Sequence, residues 1–157
     1  MNANRRGFAL PELVVTIMLV ALVALLAIPP IQMLKERTAL QAARRQLMAG
    51  FDAARAAAMQ KGKVSTVSLR SSRLNVTALS GLTGNTVRIL GPLDFSISFG
   101  ATVTPIGGSP DSIVYDARGL STPIGTGTRR YRLAVGGRAD TICVSAAGLV
   151  LNRQCVL

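Results

Sequence analysis

One apolar run constrains this chain more than any other feature. Residues 8–28, from Phe8 to Ile28, are apolar apart from Pro11, Glu12 and Thr16. As a helix these residues would span roughly 32 Å, at about 1.5 Å per residue. That length matches the hydrocarbon core of a bilayer, about 30 Å thick. Residues 1–7 are polar and carry Arg5 and Arg6. A positive flank of this kind stays on the cytoplasmic side of a membrane. The whole chain of 157 residues allows one domain with a modest core besides this run.

Two ordinary readings leave Glu12 unexplained. A secretory signal peptide also has a positive start and an apolar run, but Glu12 interrupts the beginning of this one and a small-x-small cleavage site is poorly formed. A plain transmembrane anchor meets a different objection. An ionisable residue within an apolar span costs about 2.5–3.5 kcal/mol at mid-helix, and such residues carry a function.

The segment Gly7-Phe8-Ala9-Leu10-Pro11-Glu12-Leu13-Val14-Val15 resembles the type IV prepilin signature: Gly, Phe, three further residues, Glu, and a long hydrophobic stretch. The resemblance implies cleavage by prepilin peptidase after Gly7 and N-methylation of the new terminus at Phe8. It also implies that Glu12 faces the free amine of a neighbouring subunit in a fibre. Carboxylate and ammonium in apolar surroundings each carry a desolvation cost that pairing offsets, so the pair sets the register between subunits. The resemblance extends to Pro29, where the family often has a helix-bending proline.

Pro29 and Pro30 predict a kink or local melting, because each lacks an N–H and clashes with the preceding turn. Helical periodicity then resumes. Leu40, Ala43, Leu47, Phe51, Ala54 and Ala58 form one apolar face of an amphipathic helix. Lys61-Gly62-Lys63 suits a helix C-terminus, with Gly62 as a left-handed cap and cations at the negative end of the dipole. From residue 8 to about 60 the helix would be near 80 Å long.

After Gly62 short β-branched runs alternate with Gly, Ser, Asn and Pro. Expected strands are 64–70, 74–79, 86–90, 95–99, 101–104, 112–115, 129–135, 141–145 and 149–152. In 95–99 the residues Phe95, Ile97 and Phe99 alternate with Ser96 and Ser98, the pattern of a one-sided strand. Breakers fall at 80–85, 107–111, 119–128 and 136–137. The expected fold is α+β: a long N-terminal α-helix, transmembrane in its first half, packed on an antiparallel β-sheet domain. The expected organisation is a leader at 1–7, a transmembrane and assembly helix at 8–28, an amphipathic helix half at 29–62, and a β-rich domain at 63–157.

The second part of the chain is similar to the GspH/FimT group of minor pilins. The helix with Leu40, Leu47, Ala53-Ala54-Arg55 and Ala57 carries the likeness. So do Ile113-Val114-Tyr115-Asp116-Ala117-Arg118-Gly119, Tyr131-Arg132-Leu133 and Ile142-Cys143-Val144-Ser145-Ala146-Ala147-Gly148. The resemblance implies the pilin fold. Its partners would be other pilins or pseudopilins met through the N-terminal helix, prepilin peptidase, and the bacterial inner membrane. The chain would sit there as a single pass with its N-terminus cytoplasmic, and would then enter a pilus or a periplasmic pseudopilus.

Two cysteines, Cys143 and Cys155, flank the last hairpin. In a periplasmic setting they are expected to pair, although a turn at Ala147-Gly148 puts Cys143 opposite about Asn152. The alternative is two free thiols. The net charge is +11, and nearly all of it lies beyond the apolar run. Such a balance fits an acidic partner, or solubility alone. Arg118, Arg129, Arg130, Arg132, Arg138 and Arg153 are the candidate DNA-binding residues. Arg130 and Arg132 share one face of a strand and could track phosphates, or form a solvated face. Some FimT-like pilins bind DNA through a Gly-Arg-x-Arg motif in the closing hairpin. Here Gly148-Leu149-Val150-Leu151-Asn152-Arg153 keeps only the Gly and a displaced Arg.

The sequence has no His and only two Cys, so the commonest general base is missing and a Cys-only zinc site cannot form. No phosphate loop, metal-ligand spacing or nucleophile–base arrangement is present. The expectation is a non-enzymatic protein without cofactor or metal: a minor type IV pilin that helps prime assembly or binds double-stranded DNA for uptake. The alternatives are a minor pseudopilin of a type II secretion system and a secreted basic binding protein.

Overall fold

The computed structural model describes residues 10–80, 84–122, 127–151 and 155, without the side chains of 26–30. The first element is a single helix, α1 (Leu10–Lys61), which passes through Pro29 and Pro30. The helix is continuous at those prolines, so the local melting expected there is not found. The chain forms two compact units, one ending at Lys35 and the other Glu36–Leu157. The second half of α1 therefore belongs to the globular unit. Its end is capped as expected: Gly62 has φ +61° and Lys63 N donates to Ala58 O at 3.2 Å, the left-handed closure that glycine favours.

The expected antiparallel β-sheet domain follows, and its strands divide into two sheets. The first, in the order β3-β2-β1-β5-β6, is built from β1 (Ser65–Arg70), β2 (Arg73–Leu79), β3 (Thr86–Asp94), β5 (Ser112–Tyr115) and β6 (Ser121–Thr122). The second, in the order β4-β7-β8-β9, is built from β4 (Ala101–Ile106), β7 (Arg129–Val135), β8 (Arg138–Val144) and β9 (Val150–Leu151). The short β6 lies inside the stretch 119–128 expected as a breaker.

One core joins helix and sheets. Ala43, Leu47, Phe51, Ala54 and Ala58 of α1 are fully buried, as their spacing requires. They cluster with Val67, Leu74, Val76, Ile113 and Tyr115 of the first sheet and with Val103, Tyr131, Leu133, Ile142 and Val144 of the second. The Phe51 and Tyr131 rings are 5.5 Å apart at a tilted angle, within the range in which aromatic pairs attract. β1, β2, β4, β5 and β7 alternate buried with more exposed residues, so each sheet has one buried face.

The expected strand 95–99 is instead a short helix, α2 (Phe95–Phe99). Its ends decide this. The Asp94 carboxylate accepts from Ser96 N at 3.0 Å and Ile97 N at 3.3 Å, and Gly100 closes the other end at φ +61°. In the helix Phe95 and Phe99 are four residues apart and meet at 5.8 Å, while Ile97 points outward, 81% exposed. Aromatic residues at i and i+4 satisfy a helical period as well as a strand period, and the caps choose. Bonds from the Ser96 hydroxyl and the Arg73 guanidinium hold the Asp94 carboxyl far below the usual carboxylate range.

The β1–β2 hairpin turns on Ser71 and Ser72, both at positive φ, without the glycine that a two-residue turn prefers. Ser72 is held by its neighbours. Its hydroxyl accepts from Val103 N at 3.0 Å and its carbonyl accepts from Phe95 N at 2.9 Å. The hairpin tip of the first sheet is thereby tied to β4 of the second.

Burial pushes the Tyr131 hydroxyl up to about 12, from an ordinary value near 10. Burial, and then the charge of Asp52, push Tyr115 further in the same direction. Folded protein keeps protons that the unfolded chain releases above about pH 10, so stability present below that pH is lost as the pH rises toward 12. Stability measured by circular dichroism should therefore fall above about pH 10, in step with tyrosinate absorbance. Tyrosinate formation near pH 10 without loss of stability would contradict the burial of these rings.

Candidate assembly helix and basic sheet face

The first part of α1 shows an unusual surface. Every large apolar side chain in residues 10–25 is exposed, from 47% at Val14 to 79% at Leu10. Burying side chains of this kind is worth about 1.5–3 kcal/mol each, so the surface is suited to an apolar environment. Its polar groups are few. The Thr16 hydroxyl donates to Leu13 O at 2.8 Å, which satisfies it within the helix. Glu12 lies in the first described turn of the helix. Among the described residues no helix is long and apolar enough to cross a membrane. The expected span 8–28 begins before them, and the side chains of 26–28 also lie outside them. Gly7 and Phe8 lie outside the described residues.

The six candidate arginines do not form one cluster. Arg130 and Arg132 are exposed on the outer face of β7, as alternation requires. Arg132 stands opposite Thr104 and Thr141, and Arg130 opposite Ile106 and Cys143. Arg129 faces the other way and is half-buried. Arg138 lies near Glu36, with Nε 3.9 Å from its carboxylate. Arg118 is in the turn after β5 and pairs with Asp116 at 3.1 Å. That turn meets α1 at Arg55, whose Nε donates to Gly119 O at 3.1 Å. Glu36 and Arg55 are nineteen residues apart on the helix, about 28 Å, so Arg118 and Arg138 lie at opposite ends of its buried half. Arg153 lies outside the described residues. The Asp116 carboxylate accepts from Leu120 N and Arg118 N, and these bonds, with the Arg118 side chain, lower its pKa.

Cys143 and Cys155 form a disulfide with Cα atoms 5.4 Å apart. In the ladder Cys143 stands opposite Leu151, one residue from the partner expected at Asn152, and the chain returns to Cys143 four residues later. Cys143 faces the outer side of the second sheet yet is 1% exposed. Closing a loop of this size contributes about 2–3 kcal/mol on the chain-entropy account.

Two contacts that sequence reasoning missed fasten α1 to β8. Arg44 Nη1 lies 2.7 Å from Asp140 Oδ2, and Glu36 approaches Arg138. Neither pair is close in sequence, and only the register of β8 against the helix brings them together.

No protein-family model matches the sequence, and no curated protein matches it. Among solved structures, the chain is similar to the crystal structure of the type IV minor pilin FimU of Pseudomonas aeruginosa, with 21% sequence identity and a TM-score of 0.56. The likeness covers 79% of this chain and 95% of that one. A long N-terminal helix packed by its second half on antiparallel sheet is common to the expectation and the structure, and the fold of this chain is that of a type IV pilin.

Proposed function

We propose that this chain is a minor pilin of a type IV pilus, processed after Gly7, held in the inner membrane by residues 8–28, and built into the fibre through that helix. The observation that carries the reading is the exposed apolar surface of residues 10–25 with Glu12 in its first described turn, on a chain of pilin fold. That surface has the chemistry of a helix buried in lipid before assembly and among other helices afterwards. Glu12 is the single ionisable group on it, and a neighbour's terminal ammonium is the partner that offsets its desolvation. Likeness to a minor pilin supports the same reading.

The substitution Glu12→Ala should leave membrane insertion intact, because it removes a charge from an apolar span. It should lower the amount of the protein recovered in sheared fibres. Wild-type amounts in those fibres would contradict the pairing.

DNA is a second reading, favoured by one observation. The residues paired with Arg130 and Arg132 on β4 and β8 include no carboxylate, and side chains two apart on a strand are about 6.5–7 Å apart. Full-length protein in nonionic detergent should bind a labelled DNA duplex with an affinity that falls steeply with salt. Substituting Arg130→Ala and Arg132→Ala together should weaken it. Absence of binding at low salt would make this face a solvated one.

A further inference from the structure

Arg37, Leu40, Gln41 and Arg44 follow the i, i+3, i+4, i+7 spacing of one helix face. That face meets the start of β8, where Arg138 stands opposite Val135 and Asp140 opposite Leu133 in the ladder with β7. Apolar side chains fill the inner positions farther along β8, at Ile142 and Val144, but not here. The result is an open groove of about 470 Å³ lined by Arg37, Leu40, Gln41, Arg44, Arg138, Ala139 and Asp140.

We infer that this groove docks a glutamate- or aspartate-bearing segment of an acidic neighbouring protein. Its guanidinium groups already receive carboxylates: Arg44 holds Asp140 at 2.7 Å, and Arg138 lies 3.9 Å from Glu36. Arg37 is exposed and is in no ion pair among the described residues. Three arginines against two carboxylates leave a positive charge. The planar guanidinium fork suits a carboxylate. Leu40 and Ala139 offer apolar surface on which the methylene stem of a glutamate can lie, surface that a bare phosphate would leave unused.

The occupant is not a second copy. The chain carries a net charge of +11, so copies repel one another. Four of its seven acidic residues, Glu36, Asp94, Asp116 and Asp140, are already in ion pairs. The inference does not depend on the pilin reading. Within a fibre, it makes the neighbours on this face acidic subunits.

The test uses full-length protein in nonionic detergent and a fluorescent poly-glutamate peptide, with a poly-glutamine peptide as the neutral control. The glutamate peptide should bind and the glutamine peptide should not. Arg37→Gln together with Arg138→Gln should weaken binding about tenfold or more, while Arg130→Gln with Arg132→Gln should leave it unchanged. Arg37→Gln alone breaks no ion pair among the described residues, so its loss of binding with an unchanged melting temperature separates docking from folding. No binding at low salt, or equal losses from the two pairs of substitutions, would overturn the proposal.

Discussion

Burial of the α1 stripe formed by Ala43, Leu47, Phe51, Ala54 and Ala58 is the interaction on which the globular unit depends. The inward residues of both sheets converge on it in one core. Phe51 lies against Tyr131 near the middle of the stripe. Removing a buried Phe side chain costs about 3–5 kcal/mol, a large share of the roughly 5–15 kcal/mol that stabilises an ordinary domain. Alanine at three of the five positions lets strands approach the helix closely, and Leu47 and Phe51 fill the space between the sheets. The polar clamps, Arg44 with Asp140 and Arg55 with Gly119, lie at the rim of this core and fix where along the helix the sheets sit.

The two parts of α1 have opposite surfaces. Beyond Glu36 the apolar residues are a narrow buried stripe, as an amphipathic helix in a globular unit requires. In residues 10–25 they surround the helix and are exposed. A helix that is apolar all round is stable only inside a larger apolar body. One element thus carries both a stripe buried in the globular core and an exposed apolar surface.

Much of this was legible in the sequence. The apolar run, the period of the α1 stripe and the glycine cap at Gly62 depend on local spacing, which a sequence displays directly. The strand-like pattern at Phe95–Phe99 misled because two aromatic residues four apart satisfy both periods. The deciding Asp94 cap involves single hydrogen bonds. Division into two sheets was not legible, since strand order depends on pairings such as β1 with β5, distant in the chain. The groove beside β8 was hidden for the same reason: Arg44 and Asp140 are 96 residues apart. Arg130 and Arg132 were correctly placed on one face, but proximity in sequence overstated how closely the remaining arginines gather.

The central claim is that the first part of α1 is an assembly helix exposed by removal of a short leader. Mass spectrometry of the chain isolated from membranes and from sheared fibres tests it most directly. The account predicts a mature chain that begins at N-methylated Phe8. A chain beginning near Ile28, as conventional signal-peptide cleavage would leave it, would remove the apolar surface and Glu12 together and contradict the account.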